Sequence, residues 1–298
     1  MPDAGHAFDA FDIFNAFDVY GVCDRIGLPK EAVNGVSQFI NRLLPDAERL
    51  SRFQALSEGL TDSSLQKSVL EDIARMRASD PIYADMLALL LFICAYGAVG
   101  RRYEGKSIPR PILDHTLSDI AIWAVDHHAK TGNWGLSNVS WLSRHINGTI
   151  FRLGRLQFEM NDPANHTLSV HIPRDGKLIY EECQKSYADA KAFFNAYFSE
   201  YRATAFVCFS WLLFPGLKQL LPGDSNIIRF QNDYRIEKTV DNHEEAIEQI
   251  FGKVQRNIDD YPTDSSLQRA AVDYMKKGGV FGVGHGTLIA PQSFKSSE

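Results

Sequence analysis

The chain has 298 residues, 45% hydrophobic and 23% charged, enough length for two cores of an ordinary globular protein. Its net charge of −6 at pH 7, without a Lys/Arg-rich stripe, argues against nucleic acid or an anionic membrane as partner. Four widely separated cysteines without a C-x-x-C pair predict neither disulfides nor a zinc site. An acidic N-terminus and a longest apolar run of only 86–100 predict a soluble, cytoplasmic protein.

In chain order, phenylalanine recurs every third residue at Phe8, Phe11, Phe14 and Phe17, the pattern of a short helix with an aromatic edge. "LPKEAVNGVSQFINRLL" follows as an amphipathic helix begun by Pro29, with Val33, Val36, Ile40, Leu43 and Leu44 on one face. Helices are expected over 63–78 and 81–96, the second apolar nearly all round and so central to a helical core. At "EGKSIPRP" (104–111) Gly105, Pro109 and Pro111 interrupt the period and place a domain boundary.

A helix over 113–130 is next, with His115, Asp119 and Asp126 on one polar face read as solvated rather than metal-binding, and Trp123, Trp134 and Trp141 read as packing. The pattern then turns to alternation: strands over 152–160 and 168–173, a helix over 183–198, and a buried strand "FVCFSWLL" (206–213). A short helical piece follows, then a fourth strand, "NIIRFQNDYRIEKT" (226–239). Helices at "HEEAIEQIFG" and "DSSLQRAAVDYMKK" precede "GVFGVG", whose Gly279, Gly282 and Gly284 read as strand rather than phosphate cradle because no helix follows. The polar tail 291–298 is expected to be mobile.

Each of these four strands puts polar groups on one face: Arg155, Gln157 and Glu159; Ser169 and His171; Cys208 and Ser210; Arg229, Gln231 and Asp233. A solvated sheet face explains them as well as a site does. As chemistry, His171 or Glu159 supplies a base, and Ser210 or Cys208 a proton donor to a leaving group. Arg155 and Arg229 are planar forks for a carboxylate or phosphate. Gln157, Gln231 and the turn residue Asn226 complete a candidate substrate-binding set. For Cys208 the competing readings are a buried inert thiol and a nucleophile paired with His171.

The phrases "TLSDIAIWA", "FRLGRLQFE", "VHIPRDG", "FVCFSWLLFPGLKQLLPGDSNIIRFQ" and "DSSLQRAAVDYMKKGG", in that order, resemble a bacterial family of acyltransferase-domain proteins. In that family a helical N-terminal domain precedes a C-terminal domain similar to the GNAT N-acyltransferases. The resemblance implies an α+β chain: a helical domain (1–111), then a GNAT-like mixed-sheet α/β domain (112–290). It implies acyl-CoA as co-substrate, an amine as small-molecule acceptor, and no metal. The strand "LSVHIP" would then offer acyl-CoA its backbone through Ser169, Val170 and Ile172, and helix 183–198 its N-terminus to the pyrophosphate. The superfamily's Gln/Arg-x-x-Gly-x-Gly/Ala loop is replaced here by "RDGKLIYEE", with one glycine, Gly176, and acids Glu181 and Glu182.

Three functions follow as alternatives. One is an N-acyltransferase with a cleft facing Glu159, His171 and Ser210. Another is a GNAT-like ligand-binding or regulatory module, and the third is a hydrolase or acyl carrier using Cys208.

Overall fold

An apolar helix with no polar stripe has to be enclosed by others, and α5 (Pro81–Cys94) shows this, with ten of its fourteen residues buried. In the computed structural model, which describes residue 14 and residues 17–289, the chain divides into two units at Phe151/Arg152. Helical stretch 81–105 is long and apolar enough to cross a membrane, although 86–100 alone is not, but 72% of its most apolar window is buried inside the protein.

Before α5 in the first unit come α1 (Val19–Arg25), α2 (Lys30–Leu43), α3 (Ala47–Thr61) and α4 (Gln66–Ser79). After it come α6 (Tyr96–Gly105), α7 (Arg110–Leu117), α8 (Asp119–Thr131) and α9 (Val139–Asn147). Helices α2, α3 and α4 pack on α5. Asp80 caps α5 by accepting from the Tyr83 N–H at 3.0 Å, with Pro81 in the first turn. Phe14 packs on Phe53 at 5.3 Å, while Phe8 and Phe11 lie outside the described residues.

The boundary expected at 111 is corrected to about 151. Pro109 and Pro111 open α7 instead of ending a domain, because a proline in the first turn has no intrahelical N–H bond to lose. Helix α9 is tied into the first unit by a reciprocal amide pair. Gln66 Nε2 donates to Asn147 Oδ1 at 2.9 Å, and Asn147 Nδ2 to Gln66 Oε1 at 2.8 Å. The expected helix 113–130 is two helices, separated at Ser118. Asp119 is therefore not on a solvated face. It is buried and accepts from Trp123 Nε1 (3.1 Å) and Trp141 Nε1 (2.7 Å), with His145 Nε2 at 3.2 Å.

The second unit is built on a six-stranded sheet in the order β1-β2-β3-β4-β6-β5. The strands are β1 (Ile150–Leu153), β2 (Leu156–Asp162), β3 (Thr167–His171), β4 (Ala205–Ser210), β5 (Tyr234–Asp241) and β6 (Gly282–Leu288). The strand expected over 152–160 is a hairpin. Gly154 turns it at φ +72, where a Cβ would stand 2.8 Å from Ser186 Oγ. The pairs β2/β3, β4/β6 and β5/β6 are antiparallel, and β3/β4 is parallel.

Helix α10 (Tyr180–Tyr197) covers one face, with Tyr187 against Phe158 (6.1 Å) and Phe206 (5.4 Å). The glycines of β6 serve packing. A Cβ on Gly284 would run into the carbonyl of Leu213, which accounts for a glycine there without any phosphate.

The fourth expected strand is half helix. Ser225 accepts from the Ile228 N–H at 3.3 Å and starts α11 (Asn226–Asn232), and extension begins only at Tyr234. Apolar residues two apart, Ile228 and Phe230, suit a strand, but an N-cap serine followed by seven residues without proline also suits a short helix. Helices α12 (His243–Phe251) and α13 (Ser266–Lys276) close a smaller core with Leu217, Ile247, Val272 and Phe281.

Candidate active site

Strand register decides which side chains can meet. In β2/β3 Glu159 lies opposite Ser169 and Gln157 opposite His171, and in β3/β4 Ser169 lies beside Val207. With the period of two, Glu159, Ser169, His171, Val207 and Phe209 share one face, and Phe158, Leu168, Val170, Phe206 and Cys208 share the other, under α10.

On the first face His171 Nε2 donates to Glu159 Oε2 at 2.9 Å. The Glu159 side chain is 4% exposed and the His171 side chain 28%. A carboxylate with little access to water thus holds an imidazole that reaches solvent, the arrangement that orients a general base. Ser169 Oγ donates to Asn161 Oδ1 at 2.9 Å on the same side.

Beside this pair the sheet opens. Among the described residues the parallel ladder of β3 and β4 ends at Ser169/Val207. Strand β3 continues to His171 on β2 alone, and β4 to Ser210 on β6 alone. Two strands that share a ladder and then diverge leave backbone donors and acceptors along the inner edges of a wedge, and such groups seek a partner. The Val170 side chain, next along β3, is buried in the core.

The loop from β3 to α10 is held from inside. Arg155 donates to the carbonyls of Pro173 (2.8 Å), Gly176 (2.7 Å) and Lys177 (2.9 Å), and Arg152 pairs with Asp175 at 2.8 Å. Burial lowers the pKa of the Arg155 guanidinium from its ordinary value.

Two family models match the chain: an N-acyltransferase N-terminal domain over residues 17–148 and a GNAT-like C-terminal domain over 150–288. The chain therefore carries an N-acyltransferase N-terminal domain followed by a GNAT-like C-terminal domain. No curated protein matches in sequence. Among solved structures, an acyltransferase in complex with decanoyl-CoA and teicoplanin is 23% identical, with a TM-score of 0.74 over 91% of this chain and 87% of that one. An acyltransferase in complex with CoA and 10C-teicoplanin is 22% identical, with a TM-score of 0.74 over 92% and 88%. At that identity the likeness shows a shared fold. The α+β architecture expected from the resemblance, helical domain first and GNAT-like mixed sheet second, is the one present.

In this GNAT-like domain the expected site residues fall into three groups. Glu159, His171 and Ser169 come together on one face, with Gln157 buried next to them in β2.

Cys208 and Ser210 do not join them. They alternate with Val207 and Phe209 and so lie on the opposite side of β4, which rules out a Cys208/His171 pair. Cys208 is 1% exposed, and burial pushes its thiol up to about 12. Ser210 ends β4, and its Oγ accepts from the Leu212 N–H at 3.2 Å, capping the 3-10 turn Trp211–Leu213. The strand expected to run to 213 stops there.

The third group is structural. Arg155 clasps a loop instead of presenting a fork to a ligand. Gln231 is 1% exposed and donates to the carbonyls of Leu212 (3.0 Å) and Phe214 (2.8 Å). Asn226 Oδ1 accepts from the Tyr180 N–H at 3.5 Å at the start of α10. Arg229 lies over the Tyr180 ring at 4.0 Å and pairs with Glu181 at 2.7 Å. Glu181, one of the two acids at this helix start, therefore carries a cationic partner.

Sequence reading missed Arg152 as the second clasp of the β3–α10 loop, and it missed Phe209, which lies in the strand expected to be buried. Phe209 is 53% exposed. Period-two alternation reports which residues share a face, not which face is covered.

Proposed function

We propose that this protein transfers an acyl group from acyl-CoA to the amine of a small molecule. The observation that carries the reading is the Glu159–His171 pair, on the accessible sheet face, beside the wedge where β3 and β4 diverge. The family match to N-acyltransferase and GNAT-like domains supports it, as do solved structures of the same fold that hold decanoyl-CoA or CoA.

In this mechanism the thioester lies in the wedge, with its carbonyl oxygen against N–H groups on the inner edge of β3, where negative charge develops. The amine nitrogen attacks the carbonyl carbon, and its proton passes to the His171 imidazole, held and electrostatically supported by Glu159. The C–S bond then breaks, and the CoA thiolate leaves and takes up the proton. The products are an amide and free CoA. Cys208 has no part in these steps, because its thiol lies on the other side of the sheet and holds its proton to about pH 12.

The test is calorimetry of acetyl-CoA, octanoyl-CoA and decanoyl-CoA against CoA alone, followed by thiol-release kinetics with an amine panel. Saturable acyl-CoA binding with amine-dependent thiol release is expected. No binding by any of the four would remove CoA-dependent chemistry and leave the face to another ligand.

A further inference from the structure

A general base on a sheet face dictates where the rest of its substrate lies. If His171 takes the proton from the attacking amine, the group bearing that amine rests on the surface next to His171, and this inference depends on the transfer reading above.

That surface is readable from the register. Phe209 stands two residues beyond Val207 on β4, as His171 stands two beyond Ser169 on β3, and Ser169 and Val207 are partners. Phe209 and His171 thus lie on the same face, each two residues past the last pair that joins their strands. On the far side of Phe209 its partner in β6 is His285, half-buried and on the same face. Among the described residues Phe209 is the one phenylalanine with a largely exposed ring, in a chain of nineteen phenylalanines. A single exposed apolar side chain needs no explanation by itself. Its placement beside the base does, because water over a benzyl ring there is displaced without cost by an apolar group.

We propose that Phe209, flanked by His285, is the platform for the acceptor, and that the acceptor is accordingly an amine carried on a flat aromatic group. Ring against ring in offset or edge contact adds to the area removed from water. A bare alkylamine gains little of this.

The experiment compares 2-phenylethylamine with n-butylamine as acceptors, and acetyl-CoA with decanoyl-CoA as donors, in the wild type, Phe209→Ala and Phe209→Tyr. The wild type should favour phenylethylamine by about tenfold in kcat/KM. Phe209→Ala should remove that preference through acceptor KM while donor KM stays within about twofold, and Phe209→Tyr should retain it.

The proposal is overturned if the preference survives in Phe209→Ala, or if that variant changes donor KM or the dependence on acyl length, which would put the ring against the acyl chain. Saturation-transfer NMR with phenylethylamine separates the two readings. Binding lost in Phe209→Ala without turnover by the wild type would keep the platform and sink the transferase. Turnover without discrimination would do the reverse, and neither binding nor turnover would overturn both.

Discussion

Under α10 the sheet presents Phe158, Leu168, Val170, Phe206 and Cys208, none more than 2% exposed. On the other side, across β3, β4 and β6, Ser169, His171, Val207, His285 and Thr287 are half-buried and Phe209 is exposed. Both faces carry groups with catalytic chemistry, a thiol on one and an imidazole on the other, and accessibility sorts them. A thiol in a dry core keeps its proton, and an imidazole at the surface with a carboxylate behind it can exchange one. The difference teaches that residue type nominates a catalytic group and the covering helix decides whether it can act.

The comparison breaks most sharply at His171. His171→Ala is expected to lower acyl transfer by ~10²–10⁴-fold while acyl-CoA affinity stays within about twofold, and Glu159→Gln to cause a smaller loss in the same direction. Thiol-release kinetics paired with calorimetry measure both, and an unimpaired His171→Ala enzyme would mean that the open face is not the reacting one.

On the closed face the expected losses are in stability. Phe158→Ala, which empties the contact with Tyr187 and Phe206, should cost about 3–5 kcal/mol in denaturant unfolding. Ser169→Ala on the open face should stay within about 0.5 kcal/mol. Gln231→Leu should cost about 1–3 kcal/mol, since it strips the carbonyls of Leu212 and Phe214 of their shared donor.

The smallest expected effect is on the native thiols. All four cysteines are buried, and with Cys208 pushed to about 12 by burial its thiolate fraction at pH 8 is on the order of 10⁻⁴. Ellman's reagent should find almost no thiol in the folded protein and four after denaturation. Cys208→Ser should leave turnover within about twofold.

The pH dependence has a definite sign. Folded Cys208 keeps its proton where the unfolded thiol, near pH 8.5, loses it, so this contribution to stability is complete below about pH 8.5 and declines as pH rises toward 12. Cys208→Ala should flatten that alkaline decline in a series of unfolding curves.

Much of the fold is legible in the residues because periodicity is local. The apolar wall of 81–94 predicts a central helix, Pro29 and Ser265 mark helix starts, and the alternation of 156–171 makes a paired ladder. The Glu159/His171 half of the site was legible for the same reason, as two strands each placing one polar row on one face. At 109–111 and 226–232 the local signals are ambiguous. A proline can end a helix or open one, and apolar residues two apart suit a strand or a short capped helix.

By itself, then, the sequence determined the order of helical and sheet units, the family resemblance and the period that groups side chains into rows. Only the tertiary structure decided that β3 and β4 run parallel and then part. It also decided that α10 lies over Cys208 and leaves His171 and Phe209 uncovered, and that Arg155 and Gln231 spend their donors on backbone carbonyls. Strand order, register and covering helices arise from contacts between residues far apart in the chain, and no local period encodes them.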